Sequence, residues 1–143
     1  MLITLTTDFG TSDWFVGTMK GVISGIAPAT RIIDITHKVP PGDLVDGAFA
    51  LSASSPYFPP GTIHVAVVDP GVGSSRRAIT LRTQRAIFIG PDNGVLSWAV
   101  REDGITREKD IVIQVTQASG SMTGSVQNLN SNVIAKGNQI AVV

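Results

Sequence analysis

Three short apolar runs, Leu2 to Thr6, Arg31 to Ile35 and Ile63 to Val68, alternate with stretches whose apolar residues recur at helical spacing. Trp14, Val16, Met19, Val22, Ile23 and Ile26 follow the first run, and Pro28 stops their pattern. After the second run, Asp43 is placed to cap a helix carrying Leu44, Val45, Ala48, Phe49 and Leu51. Strand, helix, strand, helix, strand predicts an α/β layered domain with a mainly parallel sheet. Ala78 to Leu81 and Ala86 to Ile89 then read as a hairpin around Thr83-Gln84. Val95 to Val100 reads as a short helix after the turn Pro91-Asp92-Asn93-Gly94. At 143 residues the chain suits one main core.

The composition changes near residue 108. From Ile111 to Val143 the only charged residue is Lys136, and Ser, Thr, Asn, Gln and Gly alternate with Val, Ile and Met. Residues 1–107 are therefore expected to form the α/β domain and 108–143 a short all-β segment, with strands at Ile111 to Val115 and Gln139 to Val143. The polar run Ser119 to Asn132 could instead be a flexible loop.

Eleven basic and eleven acidic residues leave no net charge, so no global field favours nucleic acid or an anionic membrane. The chain has no cysteine and only His37 and His64, which argues against disulfides, thiolate chemistry and a multi-histidine metal site. A short strand at the N-terminus, with no basic region or long apolar run, makes the cytoplasm the expected compartment.

The polar residues of interest stand where strands end. Asp8 follows the first strand and Asp69 the third, at the edge where open α/β sheets gather ligands. If those strands are parallel neighbours, both carboxylates face one crevice, with Asp13 nearby at the start of the first helix. Capping and turn formation are the alternative roles for Asp8 and Asp13. Asp69 opens the loop Asp69-Pro70-Gly71-Val72-Gly73-Ser74-Ser75-Arg76-Arg77, in which Pro70 fixes a torsion, Gly71 and Gly73 permit close backbone approach, and Arg76 pairs with Asp69. The loop lacks the Lys-Ser/Thr ending of a phosphate-binding loop, and Asp69 would repel phosphate. His37 and His64 are expected to be packed and hydrogen-bonded rather than ligands, and the Pro91 to Gly94 segment to be a tight turn.

Together, Thr6-Thr7-Asp8-Phe9-Gly10, Asp34-Ile35-Thr36-His37, Val68-Asp69-Pro70-Gly71-Val72-Gly73 and Gly90-Pro91-Asp92-Asn93-Gly94 closely resemble the S-adenosyl-L-methionine (SAM) hydroxide adenosyltransferases. This is the SAM hydrolase family, related to SAM-dependent fluorinase and chlorinase. The resemblance implies an N-terminal α/β domain joined to a small β domain, and homotrimers with active sites between subunits. It implies that Asp8 binds the ribose hydroxyls, that Asp13 helps hold the methionine portion, and that Asp69 with Arg76 orients and activates a water. SAM would be substrate, with no further cofactor and no metal. Family hydrolases also use a histidine downstream of the Asp-Asn-Gly turn, and no histidine follows Gly94 here. Ser119 to Asn130 and Gly137 to Val143 weakly resemble the end of the family's C-terminal domain, as though its middle were absent. Ser119 then stands where adenine is contacted, a turn serine being the alternative.

The residues suit that chemistry. A sulfonium is an excellent leaving group, so displacement at the ribose C5′ needs positioning and an oriented water more than a metal. A halide in the same place would face the Asp69 carboxylate, a repulsion of several kcal/mol at an effective dielectric of ~20. Hydrolysis of SAM to adenosine and L-methionine is the expected function. The alternatives are a non-catalytic SAM or adenosine binder and an inactive shortened family member.

Overall fold

The computed structural model describes residues 1–104 together with the backbone of two short strands, Thr116–Ala118 and Ser121–Thr123. The order is β1 (Leu2–Thr7), α1 (Phe15–Ile26), β2 (Arg31–Thr36), α2 (Leu44–Ser54), a single 3₁₀ turn (Ser55–Tyr57), β3 (Thr62–Val67), β4 (Ala78–Arg82), β5 (Ala86–Pro91) and α3 (Ser97–Asp103). Five strands form one sheet in the order β2-β1-β3-β5-β4. The β1/β2, β1/β3 and β3/β5 pairs are parallel, and only β4, at the edge, runs antiparallel. The expected mixed α/β architecture with a mainly parallel sheet is therefore present. Thr116–Ala118 (β6) and Ser121–Thr123 (β7) pair antiparallel as a second, two-stranded sheet. The strands expected at Ile111 to Val115 and Gln139 to Val143 lie outside the described residues.

Burial follows from this order. β1 lies between two parallel neighbours and is buried from Ile3 to Thr7, as a strand covered on both faces must be. On one face Ile3, Leu5, Ile63 and Val67 pack with Met19 and Ile23 of α1. On the other, Ala66, Val68 and Phe88 pack with Leu51 of α2 and Ala99 and Val100 of α3. The helical periodicity of residues 14–26 delivers Met19 to the core, whereas Trp14 stands just before the helix as its N-cap residue and is 72% exposed. Phe49 of α2 is likewise exposed. Asp43 caps α2 as expected, its Oδ1 accepting from the Val45 and Asp46 amides at 3.1 and 3.0 Å.

Gly90 lets α3 approach the sheet. A Cβ there would lie 2.7 Å from the Ala66 carbonyl oxygen and 3.2 Å from Leu96 Cδ2. The nearer atom is backbone in the centre of the sheet and cannot swing aside. Gly90→Ala is expected to lower stability by about 2 kcal/mol or more, read as a lower urea midpoint. A parental midpoint would show that the Ala66 carbonyl does not crowd a side chain at this position.

His64 is a core histidine. It is 1% exposed, its Nδ1 is 2.8 Å from Thr4 Oγ1, and its ring stacks on Phe88 at 5.1 Å. Burial lowers its pKa from 6.5 to about 4, with Asp103 opposing part of the shift. The unfolded chain thus binds the proton more readily between those values. The resulting stability is complete above pH 6.5 and is lost as pH falls through about 4, at up to ~1.4 kcal/mol per pH unit. Urea midpoints at pH 7 and pH 5 should differ more in the parent than in His64→Gln, and equal differences would remove His64 as the titrating group.

Candidate active site

Because β2, β1, β3 and β5 are parallel, their C-terminal ends share one edge of the sheet. The chain passes from β1 to β2 on one side and then returns to place β3 on the other, so the strand order switches between β1 and β3. A crevice opens at such a switch point. Asp8 follows β1 directly and Asp69 stands two residues beyond the end of β3, so the fold sets them on either side of this switch. The Asp8 amide donates to the Val67 carbonyl at 3.4 Å, tying the two strand ends together.

Asp8 is half-buried, and its Oδ2 accepts the Gly42 amide at 2.8 Å. Gly42 has a φ of +72°, and a Cβ there would sit 3.2 Å from Pro70 Cβ. A side chain would therefore be strained in its backbone and crowded against the Asp69 loop. The loop before α2 thus joins the ends of β1 and β3 through one glycine, and the capping role considered for Asp8 is replaced by this long-range bond. Asp8 Oδ1 has no partner among the described residues and is free to accept from a ligand hydroxyl.

Asp69 holds its own loop. Its Oδ1 accepts the Gly71 amide at 2.9 Å and the Arg76 guanidinium Nη1, while Oδ2 is unengaged among the described residues. Both side chains are largely shielded, at 13% exposure for Asp69 and 25% for Arg76. The Val72 amide returns to the Asp69 carbonyl at 3.3 Å and the Ser74 amide to the Gly71 carbonyl at 3.1 Å. Gly73 has a φ of +81°, and a Cβ at Gly71 would overlap the Arg76 guanidinium. The two glycines therefore serve different needs, a left-handed turn at Gly73 and close approach at Gly71.

The other expected site residues are placed less centrally. Asp13 is exposed at the entrance to α1, its Oδ1 accepting the Phe15 amide at 3.1 Å, and it shares no hydrogen bond with Asp8 or Asp69. The α1 N-cap residue is Trp14, without a side-chain cap, so Asp13 forms a turn one residue earlier than a capping role requires. Ser119 lies outside the described residues.

His37 is buried behind the site, with Nδ1 2.8 Å from Thr7 Oγ1. Its carbonyl accepts the Gly10 amide at 2.7 Å, so it braces the turn that follows Asp8. Nε2 lies 3.1 Å from Asp34 Oδ1 but is poorly aligned for a hydrogen bond. Desolvation would raise the Asp34 pKa, but Lys20, 2.6 Å away, and His37 outweigh it and hold the carboxyl below its ordinary value. Both histidines are thus packed and hydrogen-bonded, as expected from sequence.

Two contributors escaped the sequence reading. Gly42 acts through its amide, and its only signal was the Pro40-Pro41-Gly42-Asp43 turn before a helix. Asn93 donates from Nδ2 to the Val68 carbonyl at 2.8 Å, although its segment reads as a simple turn. Among the described residues, no three His, Asp or Glu side chains gather closely enough to hold a metal ion. The site instead offers two carboxylates, one of them paired to a guanidinium, at the carboxyl edge of the sheet where the strand order switches. Such a set can accept hydrogen bonds from a polyol and take a proton from a bound water.

Comparison with known proteins agrees with this architecture. Over 94 residues the chain is 52% identical to a protein from Salinispora arenicola named (R)-S-adenosyl-L-methionine hydrolase, covering 66% of this chain and 36% of that one. It is 28% identical over 126 residues to a fluorinase from Actinoplanes sp., covering 72% and 42%. A crystal structure of an uncharacterized conserved protein from Thermotoga maritima superposes with a TM-score of 0.73 at 40% identity, covering 80% and 43%. The chain spans less than half the length of each of these proteins. The sequence profile described as the SAM hydroxide adenosyltransferase N-terminal domain matches residues 3–137. With that match over most of its length, and with the Asp8 and Asp69 strand ends that carried the resemblance, the chain belongs to the SAM hydroxide adenosyltransferase family.

Proposed function

We propose that this protein hydrolyses SAM to adenosine and L-methionine by direct attack of water at the ribose C5′. The carrying observation is the Asp69 carboxylate, held through Oδ1 by Gly71 and Arg76 with Oδ2 left open, across the strand switch from Asp8. Oδ2 takes the proton of a water aligned opposite the C5′–sulfur bond. As the oxygen bonds to C5′, the C5′–S electron pair passes to sulfur and neutral methionine leaves. Arg76 orients Asp69 through the charge-assisted bond from its guanidinium to Oδ1. Asp8 Oδ1 receives the ribose hydroxyls, and Asp13 the ammonium of the methionine portion.

The name of the Salinispora relative supports the substrate. A carboxylate where the nucleophile stands supports water over halide, because an anion would be repelled there while a water is polarised. No metal is required in this scheme, since the sulfonium already supplies the leaving group. Residues 1–107 act as the catalytic α/β domain, Ser119 of the segment 108–143 is assigned to the adenine contact, and the working unit is a homotrimer. Incubation with SAM, followed by chromatography of adenosine and methionine, tests the reading. Equimolar appearance of both supports it, and intact SAM opposes it.

For the 143 residues taken by themselves, which hold no histidine after Gly94, a second reading is a chain that binds SAM or adenosine without turning it over. Saturable SAM binding with no product would select it.

A further inference from the structure

The loop that carries Asp69 and Arg76 is rich in glycine and serine and mostly exposed, yet its two functional side chains must hold a fixed geometry. Its two ends meet the same turn. At the entry, Asn93 Nδ2 donates to the carbonyl of Val68, the residue before Asp69, at 2.8 Å. At the exit, the Asp92 amide donates to the carbonyl of Arg77, the residue after Arg76, at 2.9 Å, and the Asp92 carboxylate pairs with the Arg77 guanidinium. Adjacent residues of one turn thus grip the loop immediately outside both members of the pair.

A tight turn alone does not demand this. The bond from the Val95 amide to Asn93 Oδ1, at 3.1 Å, already closes the turn into α3, and an aspartate would accept it equally well. The bond to Val68 needs the amide nitrogen and crosses to another strand end. One amide orientation satisfies both partners, with oxygen toward Val95 N and nitrogen toward Val68 O. Val68 is fully buried, so its carbonyl is a fixed anchor rather than part of the loop's motion.

We propose that Asn93 and Asp92 are positioning residues that clamp the Asp69 and Arg76 loop at both ends. This rests on the reading of that pair as the water-activating group. Asn93→Asp separates the two roles, because it keeps the acceptor for Val95 and removes the donor to Val68. In the full chain it is expected to lower kcat for SAM about 10²-fold, the scale of a small misplacement of reacting groups, with KM nearly unchanged. Amide hydrogen exchange should accelerate in residues 69–77 while β1 and β3 remain protected. Asp92→Asn, at an exposed position, should shift both readouts in the same direction by a smaller factor.

Parental kcat together with parental exchange would overturn the clamp. So would faster exchange with unchanged kcat, or a rise in KM that accounts for the whole loss. If the parent releases no adenosine, the functional reading fails separately. Exchange then decides the clamp alone, acceleration confined to residues 69–77 upholding it and unchanged protection refuting it.

Discussion

Asp69→Asn is expected to abolish adenosine formation, a loss of at least ~10²-fold, while SAM affinity and the unfolding midpoint stay close to parental. The asparagine carbonyl can still accept from Gly71 N and Arg76, so the loop keeps its internal bonds. What disappears is the second carboxylate oxygen, unengaged among the described residues and assigned here to take the proton from water. Affinity should survive because the proposed ribose and methionine contacts belong to Asp8 and Asp13. Measurement of kcat, SAM affinity and urea midpoint on one preparation separates the possibilities. Parental turnover would remove Asp69 from the chemistry, and a collapsed midpoint would make it a structural residue.

The second large effect is at Gly71. A methyl group there would occupy the space of the Arg76 guanidinium. Because the obstructed group is the far end of a flexible side chain, Arg76 can swing into solvent and the fold should be spared. Gly71→Ala is thus expected to release Arg76 from Asp69 and lower turnover by about 10²-fold, with a stability change of no more than ~1 kcal/mol. Gly90→Ala makes the complementary case, since its obstruction is a backbone carbonyl and its cost falls on stability. If Gly71→Ala turns over SAM at the parental rate, the ion pair is not needed for the reaction.

Local pattern accounts for most of what could be read in advance. The β1 to α1 to β2 passage announces itself through apolar runs, helical spacing and Pro28, and Asp43 caps its helix by contacts to residues two and three positions away. The pairing of Asp69 with Arg76 was legible for the same reason, since a glycine loop folds the chain back over seven residues. The bonds from Gly42 to Asp8 and from Asn93 to Val68 join residues 34 and 25 apart. Nothing local requires either, and they exist because the sheet order brings distant loops to one edge. Trp14 fits the helical period yet stands exposed at the helix entrance, because periodicity locates a face without saying where the first turn begins.

The central claim is attack of water on C5′. The most direct measurement is turnover of SAM in ¹⁸O-enriched water, with mass analysis of both products. Adenosine carrying one ¹⁸O at its 5′ hydroxyl, with unlabelled L-methionine, is the expected result. Adenosine without the label, or a nucleoside that retains sulfur, would contradict the mechanism.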